Sequence, residues 1–145
     1  MTRRELSFGG IALNRVPGGW NEVTDLEDGA PFTLAKPDGV GALQFSPAVY
    51  KGGRVPSPSV DDLLEMVTEF GVQHDLGDAF GYGTDDATIR LAGANYHDGE
   101  DFIRVWYVSD GKSFVLVTYV CQWGLERKEI DECEEIVRSV RFTRS

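Results

Sequence analysis

Apolar residues recur along this chain at two spacings, and the change from one to the other marks out its elements. Alternation governs the first fifty residues, where short apolar runs separated by turn residues predict strands. Leu6-Ser7-Phe8 and Ile11-Ala12-Leu13 flank Gly9-Gly10, and Pro17-Gly18-Gly19 leads into Trp20-Asn21-Glu22-Val23-Thr24. A further strand, Pro31 to Lys36, runs into the turn Pro37-Asp38-Gly39. That turn predicts a hairpin whose return strand, Val40 to Ser46, sets Gly41, Leu43 and Phe45 on one side and Ala42 and Gln44 on the other.

From Val60 the spacing becomes three and four: Val60, Leu63, Leu64, Val67 and Phe70 form one helical stripe. Ser59 with Asp62 predicts a capping box, and Gly71 is the expected stop. Gly77 to Asp86, rich in Gly and Asp, reads as a loop, and a mobile one. Three strands follow, residues 87–96, 102–108 and 114–121, joined by His97-Asp98-Gly99-Glu100 and Ser109-Asp110-Gly111-Lys112. Asp-Gly in both connectors predicts an antiparallel meander. The last strand is apolar on both faces, so it is expected at the centre of the sheet, covered on both sides. A closing helix carries Ile130, Cys133, Ile136, Val137 and Val140, with Phe142 just beyond. The expected architecture is one α+β domain, an antiparallel sheet covered by two amphipathic helices in an α/β/α sandwich.

This succession resembles the PsbP-like family, also called DcrB-like or Mog-like, across nearly the whole chain. The pieces that carry the resemblance are Gly39 to Phe45 after the Pro-Asp-Gly turn, the meander through Trp106 and Tyr119, and the closing helix with its Ser139-Val140-Arg141-Phe142 tail. The resemblance implies a binding or chaperone-like protein: the family includes photosystem assembly subunits, a Ran-binding import factor, bacterial lipoproteins and chaperones of type VI secretion. Immunity proteins that sit on a toxin are a further analogy. None of these transfers a functional residue to this chain.

Composition narrows the setting. The first residues hold two arginines but no apolar stretch fit for a signal peptide or a membrane span, and there is no lipobox cysteine, so the expected compartment is the cytoplasm. Cys121 and Cys133 fall at apolar positions and are expected to be free, buried thiols. Charge is unevenly spread. Between Ser59 and Asp101 eleven acids face one base, Arg90, giving −10, whereas the remainder holds thirteen of each sign. Such a field disfavours nucleic acid and favours a basic protein surface or a cation.

No catalytic arrangement emerges. His74 and His97 each precede an aspartate, but an isolated dipeptide at a loop end is no site, and neither cysteine sits where a thiolate would be stabilised. The acids around the Gly-rich stretch lack the spacing of a calcium loop, and no His and Cys cluster for a transition metal. Gly77 to Gly83 follows a helix, has no lysine and lies among carboxylates, which rules out a phosphate loop. No metal, no cofactor and no enzyme are expected.

The helices differ in charge. In the closing helix acids precede bases, with Glu134 four residues before Arg138, as the macrodipole favours. In the first, Asp61, Glu65 and Glu69 stand at i, i+4 and i+8 with no base to pair them. The leading expectation is therefore a non-enzymatic module that engages a basic protein partner. Its expected contact residues are Asp61, Asp62, Glu65, Glu69, Asp75, Asp78, Asp85 and Asp86, with Phe80, Tyr82 and Tyr96 as apolar anchors. Against it stands the plain alternative that the acids only form a solvated face. A different class of function is a metabolite or lipid pocket between sheet and helices lined by Trp106, Tyr107 and Tyr119. Unpaired sheet edges also leave a homodimer open.

Overall fold

Two antiparallel sheets and two helices make up the computed structural model, which describes residues 3–24, 29–48 and 50–143. Strands β1 (Arg3–Phe8) and β2 (Ile11–Pro17) form a hairpin through Gly9 and Gly10, both at positive φ, the backbone a tight two-residue turn requires. A short β10 (Val140–Phe142) pairs with the far side of β2 to complete a three-stranded sheet. The sequence reading put Val140 on the closing helix, yet helix α2 (Ile130–Arg138) ends before it. Val140 lies four residues after Ile136, so the helical period could not exclude it. Its pairing with Leu13, which leaves it fully buried, decides for the strand.

The larger sheet has seven strands. In chain order they are β3 (Asn21–Glu22), β4 (Phe32–Ala35), β5 (Gly41–Ala48), β6 (Phe80–Asp86), β7 (Arg90–Asp98), β8 (Asp101–Ser109) and β9 (Phe114–Gln122), laid side by side as β3-β4-β5-β9-β8-β7-β6. The expected hairpin β4–β5 and the meander β7–β8–β9 are both present. The expected loop over residues 77–86 is not: most of it is β6, an edge strand on β7. Gly and Asp are poor strand formers, but the open edge of β7 supplies hydrogen-bonding partners that local propensity cannot foresee. A bulge between Phe80 and Gly83 interrupts the pairing, with Gly81 at φ +64 where a Cβ would collide with the Asn95 amide.

Helix α1 (Val60–Gln73) and helix α2 lie on opposite faces of this sheet. Alternation along the strands divides the core accordingly. Leu91, Trp106, Val108, Val117 and Tyr119 point to α2 and the small sheet, whereas Ala92, Ala94, Tyr96 and Val105 point to Leu63 and Val67 of α1. Full burial of each Leu or Val among them stabilises the fold by about 1.5–3 kcal/mol. On β9 the α2 face is sealed, but the α1 face is only half covered, since Phe114, Leu116 and Thr118 are partly exposed and Val120 is exposed. Its expected coverage on both sides is therefore incomplete, because α1 crosses β7 and β8 and leaves β5 and part of β9 bare.

Gly71 does not stop α1. It sits inside the last turns, where a Cβ would overlap the Tyr96 ring, and so lets the helix settle on the sheet. The stop comes three residues later. His74 caps the helix, Asp75 takes a left-handed conformation (φ 55), and the amides of Asp75 and Leu76 donate to the carbonyls of Val72 and Gly71.

Candidate partner-binding surface

The capping box at Ser59 fixes the start and the rotation of α1: the Asp62 amide donates to Ser59 Oγ at 3.1 Å and the Ser59 amide to Asp62 Oδ2 at 2.9 Å. With Leu63 and Val67 buried on the sheet, Asp61, Glu65 and Glu69 turn to solvent. No ion pair involves any of the three among the described residues. Together with Leu64 and Thr68 they border a shallow, open depression of about 560 Å³.

The other expected contact residues divide. Asp78 is exposed in the loop before β6, and Phe80 (39% exposed) and Tyr82 (53%) are open to solvent. Asp62 is occupied as a cap, and Asp75 serves the helix stop. Asp85 accepts from Arg138 Nη1 at 2.9 Å, and Asp86 lies 3.8 Å from Arg90 Nε. Tyr96 is a misassignment. At 1% exposure it is core, its hydroxyl donates to the Val67 carbonyl at 2.7 Å, and burial pushes its pKa up. Phe80 and Tyr82 also part company, because the bulge adds one residue between them and Phe80 turns to Trp123 on the α2 face.

The aromatic residues expected to line a ligand pocket do not share one space. Trp106 and Tyr119 are fully buried on the α2 face, whereas Tyr107 is half-buried on the α1 face. Among the described residues no three His, Cys, Asp or Glu side chains gather into a metal site. Cys121 and Cys133 are buried free thiols, each with its pKa raised chiefly by burial.

The acids near α2 behave unlike those of α1. Glu129 accepts from the amides of Val40 and Gly41, both at 3.2 Å, and from the Tyr119 hydroxyl at 2.8 Å. Glu132 accepts from Trp20 Nε1 at 3.0 Å and Lys36 Nζ at 3.2 Å. Glu134 accepts from Arg104 Nε at 2.6 Å and Trp106 Nε1 at 3.1 Å, and Glu135 from Arg3 and Arg15. These carboxylates tie α2 to both sheets. Carboxylates bound this way are structural, which sets apart the unpaired row on α1.

One cluster went unnoticed in the sequence. At the end of the large sheet where β7 turns into β8, Trp123 stacks on His97 with centroids 3.6 Å apart, and Phe80 and Phe102 meet it at 6.0 and 6.1 Å. Trp123 stays 40% exposed. Its amide donates to the Glu100 carbonyl at 2.7 Å, fastening it to the acidic β7–β8 turn. The available signal was the alternation Val117, Tyr119, Cys121, carried one step further to Trp123.

No family model matches this chain, and a search of curated proteins finds no match. Solved structures do match. A crystal structure from Bacteroides thetaiotaomicron VPI-5482 superposes with a TM-score of 0.65 at 17% identity, covering 100% of this chain and 50% of that one. The chain thus spans half the length of that Bacteroides protein. The solution structure of cyanobacterial PsbP (CyanoP) from Synechocystis sp. PCC 6803 superposes with a TM-score of 0.64 at 10% identity, over 96% of this chain and 91% of that one. The fold is PsbP-like, an α+β sandwich, and at these identities the likeness speaks of fold alone. Neither described helix is long and apolar enough to cross a membrane.

Proposed function

We propose that this protein is a non-enzymatic binding module of the cytoplasm, an adaptor, secretion chaperone or immunity protein, which engages a basic protein partner through the exposed acids of α1. The observation that supports the reading is the contrast between the two helices. Every glutamate from Glu129 to Glu135 is engaged by donors of the fold, while Asp61, Glu65 and Glu69 repel one another at helical spacing and form no ion pair among the described residues. The glutamates around α2 are held by donors of the fold itself, and the row on α1 is open to an outside cation. Long-range attraction between these exposed acids and a complementary basic surface would then speed and orient docking.

The test is affinity capture from the native cytoplasm at low and high salt, with the wild type beside an Asp61→Lys, Glu65→Lys, Glu69→Lys variant. A basic protein retained by the wild type at low salt, released at high salt and missed by the variant is the expected result. Equal retention by both proteins at both salts would sink the proposal.

A further inference from the structure

The face of the large sheet that carries α1 is wider than one helix covers. Across the rows of that face Tyr107 of β8 pairs with Leu116 of β9, which pairs with Ser46 of β5, and Val105 leads in the same way to Thr118 and Gln44. Helix α1 packs mainly on β7 and β8, so a strip of β9 and β5 lies open beyond Tyr107 among the described residues. On β9 this strip is apolar except at Thr118: Phe114 and Leu116 are half-buried, and Val120 is 38% exposed. On β5 it is small or polar, with Ala42, Gln44, Ser46 and Ala48. Neighbouring strands stand about 4.8 Å apart, so the two offer a bed about 10 Å wide, the width of one helix laid beside another.

The acids of α1 border this bed. Glu69 shares a depression of about 230 Å³ with Met66, Phe70 and Gln73 of the helix and with Tyr107 of β8. Since β9 follows β8 in the sheet, that depression lies on the flank of α1 that looks toward the open strip. Glu65 and Asp62 continue the same flank, lining the adjoining depression with Met66 and Glu69. One end of the bed is closed. The Tyr50 amide donates to Ser113 Oγ at 2.9 Å and the Ser57 amide to the Gly111 carbonyl at 2.8 Å, which folds the segment after β5 against the β8–β9 turn. Lys112 Nζ stands 5.9 Å from the Tyr50 ring centroid, and Lys51 follows Tyr50, so two lysines stand at the Phe114 end. The bed therefore has an apolar floor on β9, an acidic long side on α1 and cations at one end.

An amphipathic basic helix complements that arrangement. Its apolar stripe recurs every three to four residues and covers one ridge, and side chains four apart on its flank stand one turn apart, as Glu65 and Glu69 do. We infer that the strip of β9 and β5 beside α1 seats an amphipathic helix of the basic partner, its apolar stripe on Phe114, Leu116 and Val120 and its cationic flank against Glu65 and Glu69. This deepens the reading proposed above and rests on it, since the partner and the acids are the same and the sheet face adds the apolar half of the contact. The acids of α1 supply attraction at long range and fix which flank of the helix is basic, while Lys51 and Lys112 disfavour cations at the Phe114 end.

The probe is a peptide of leucine and lysine about 17 residues long, enough at about 1.5 Å per residue to follow the length of β5. Its leucines stand at helical spacing, and a scrambled peptide of the same composition is its control. Binding of each to the full chain is followed at low and high salt by anisotropy of a fluorescent label. The patterned peptide is expected to bind roughly tenfold more tightly than the scrambled one. Val120→Gln, a change at the surface, is expected to weaken the patterned peptide roughly three- to tenfold and to leave its salt dependence unchanged. Should that variant fail to fold, the wild type's discrimination between the two peptides decides alone. Equal affinity for both peptides, lost at high salt and in a Glu65→Lys, Glu69→Lys variant, would overturn the seat and leave acidic docking standing. So would a patterned peptide that a folded Val120→Gln binds as tightly as the wild type does. Binding of neither peptide at low salt would overturn both.

Discussion

Glu129 and Tyr119 meet through a 2.8 Å hydrogen bond in the interior of the protein, where the glutamate is 3% exposed and the tyrosine fully buried. Burial, and then this bond, push the tyrosine pKa far above its ordinary value, which keeps the hydroxyl a donor to the carboxylate at neutral pH. Two amides, of Val40 and Gly41, complete the carboxylate's shell and fasten the start of β5 to the entry of α2. In Glu129→Ala all three donors lose their acceptor. The variant is expected to lose about 2–4 kcal/mol in urea unfolding. A loss below about 1 kcal/mol would mean that water replaces the carboxylate without strain.

Gly71 offers a test in which two principles oppose each other. In an exposed helix Gly→Ala gains about 1 kcal/mol of propensity. Here the added methyl would press into the Tyr96 ring, whose hydroxyl is held by Val67. Overpacking of this kind costs about 1–3 kcal/mol. Gly71→Ala is therefore expected to be neutral to destabilising, and a raised melting temperature would contradict the contact.

The acid row on α1 should carry a stability cost. Glu65 has a like-charged neighbour four residues away on each side, each worth about 0.2–0.5 kcal/mol of repulsion. Glu65→Gln is expected to stabilise the chain by about 0.4–1 kcal/mol at low salt, and the gain should fade as salt screens the wild type. No gain at low salt would show that solvent already screens the row.

The contact between Arg3 and Glu135 should make stability depend on acid. Hydrogen bonding to Arg3, then the charges of Arg3 and Arg15, hold the Glu135 carboxyl below its ordinary range. A carboxylate depressed in the folded state contributes stability above the unfolded pKa of about 4.3 and loses it as pH falls through the lower folded value. Arg3→Gln should thus be less stable than the wild type at pH 7, with the difference shrinking below about pH 4. A difference independent of pH would assign the role of Arg3 to packing alone.

Some of this was readable along the chain. The hairpins signalled by Pro-Asp-Gly and by Asp-Gly are present, as are the capping box of α1 and the buried stripe of Leu63 and Val67, because each depends on residues within a few positions of one another. The three unpaired acids of α1 were legible for the same reason, since their spacing fixes them on one helical face.

What required the tertiary structure was every feature set by residues far apart in sequence. Strand β6 exists because β7 offers an open edge, and β10 because β2 does. Tyr96 left the list of partner contacts once its ring was seen lying on Gly71, twenty-five positions back. The carboxylates of Glu129, Glu132, Glu134 and Glu135 read as ordinary helix charges until their donors, up to 132 residues away, came into range. Phe80, His97, Phe102 and Trp123 come from four different strands or their ends, so no local pattern could assemble them. Periodicity reports which side of an element is buried; which distant element covers it, and which polar groups it brings, is decided only when the sheets close on each other.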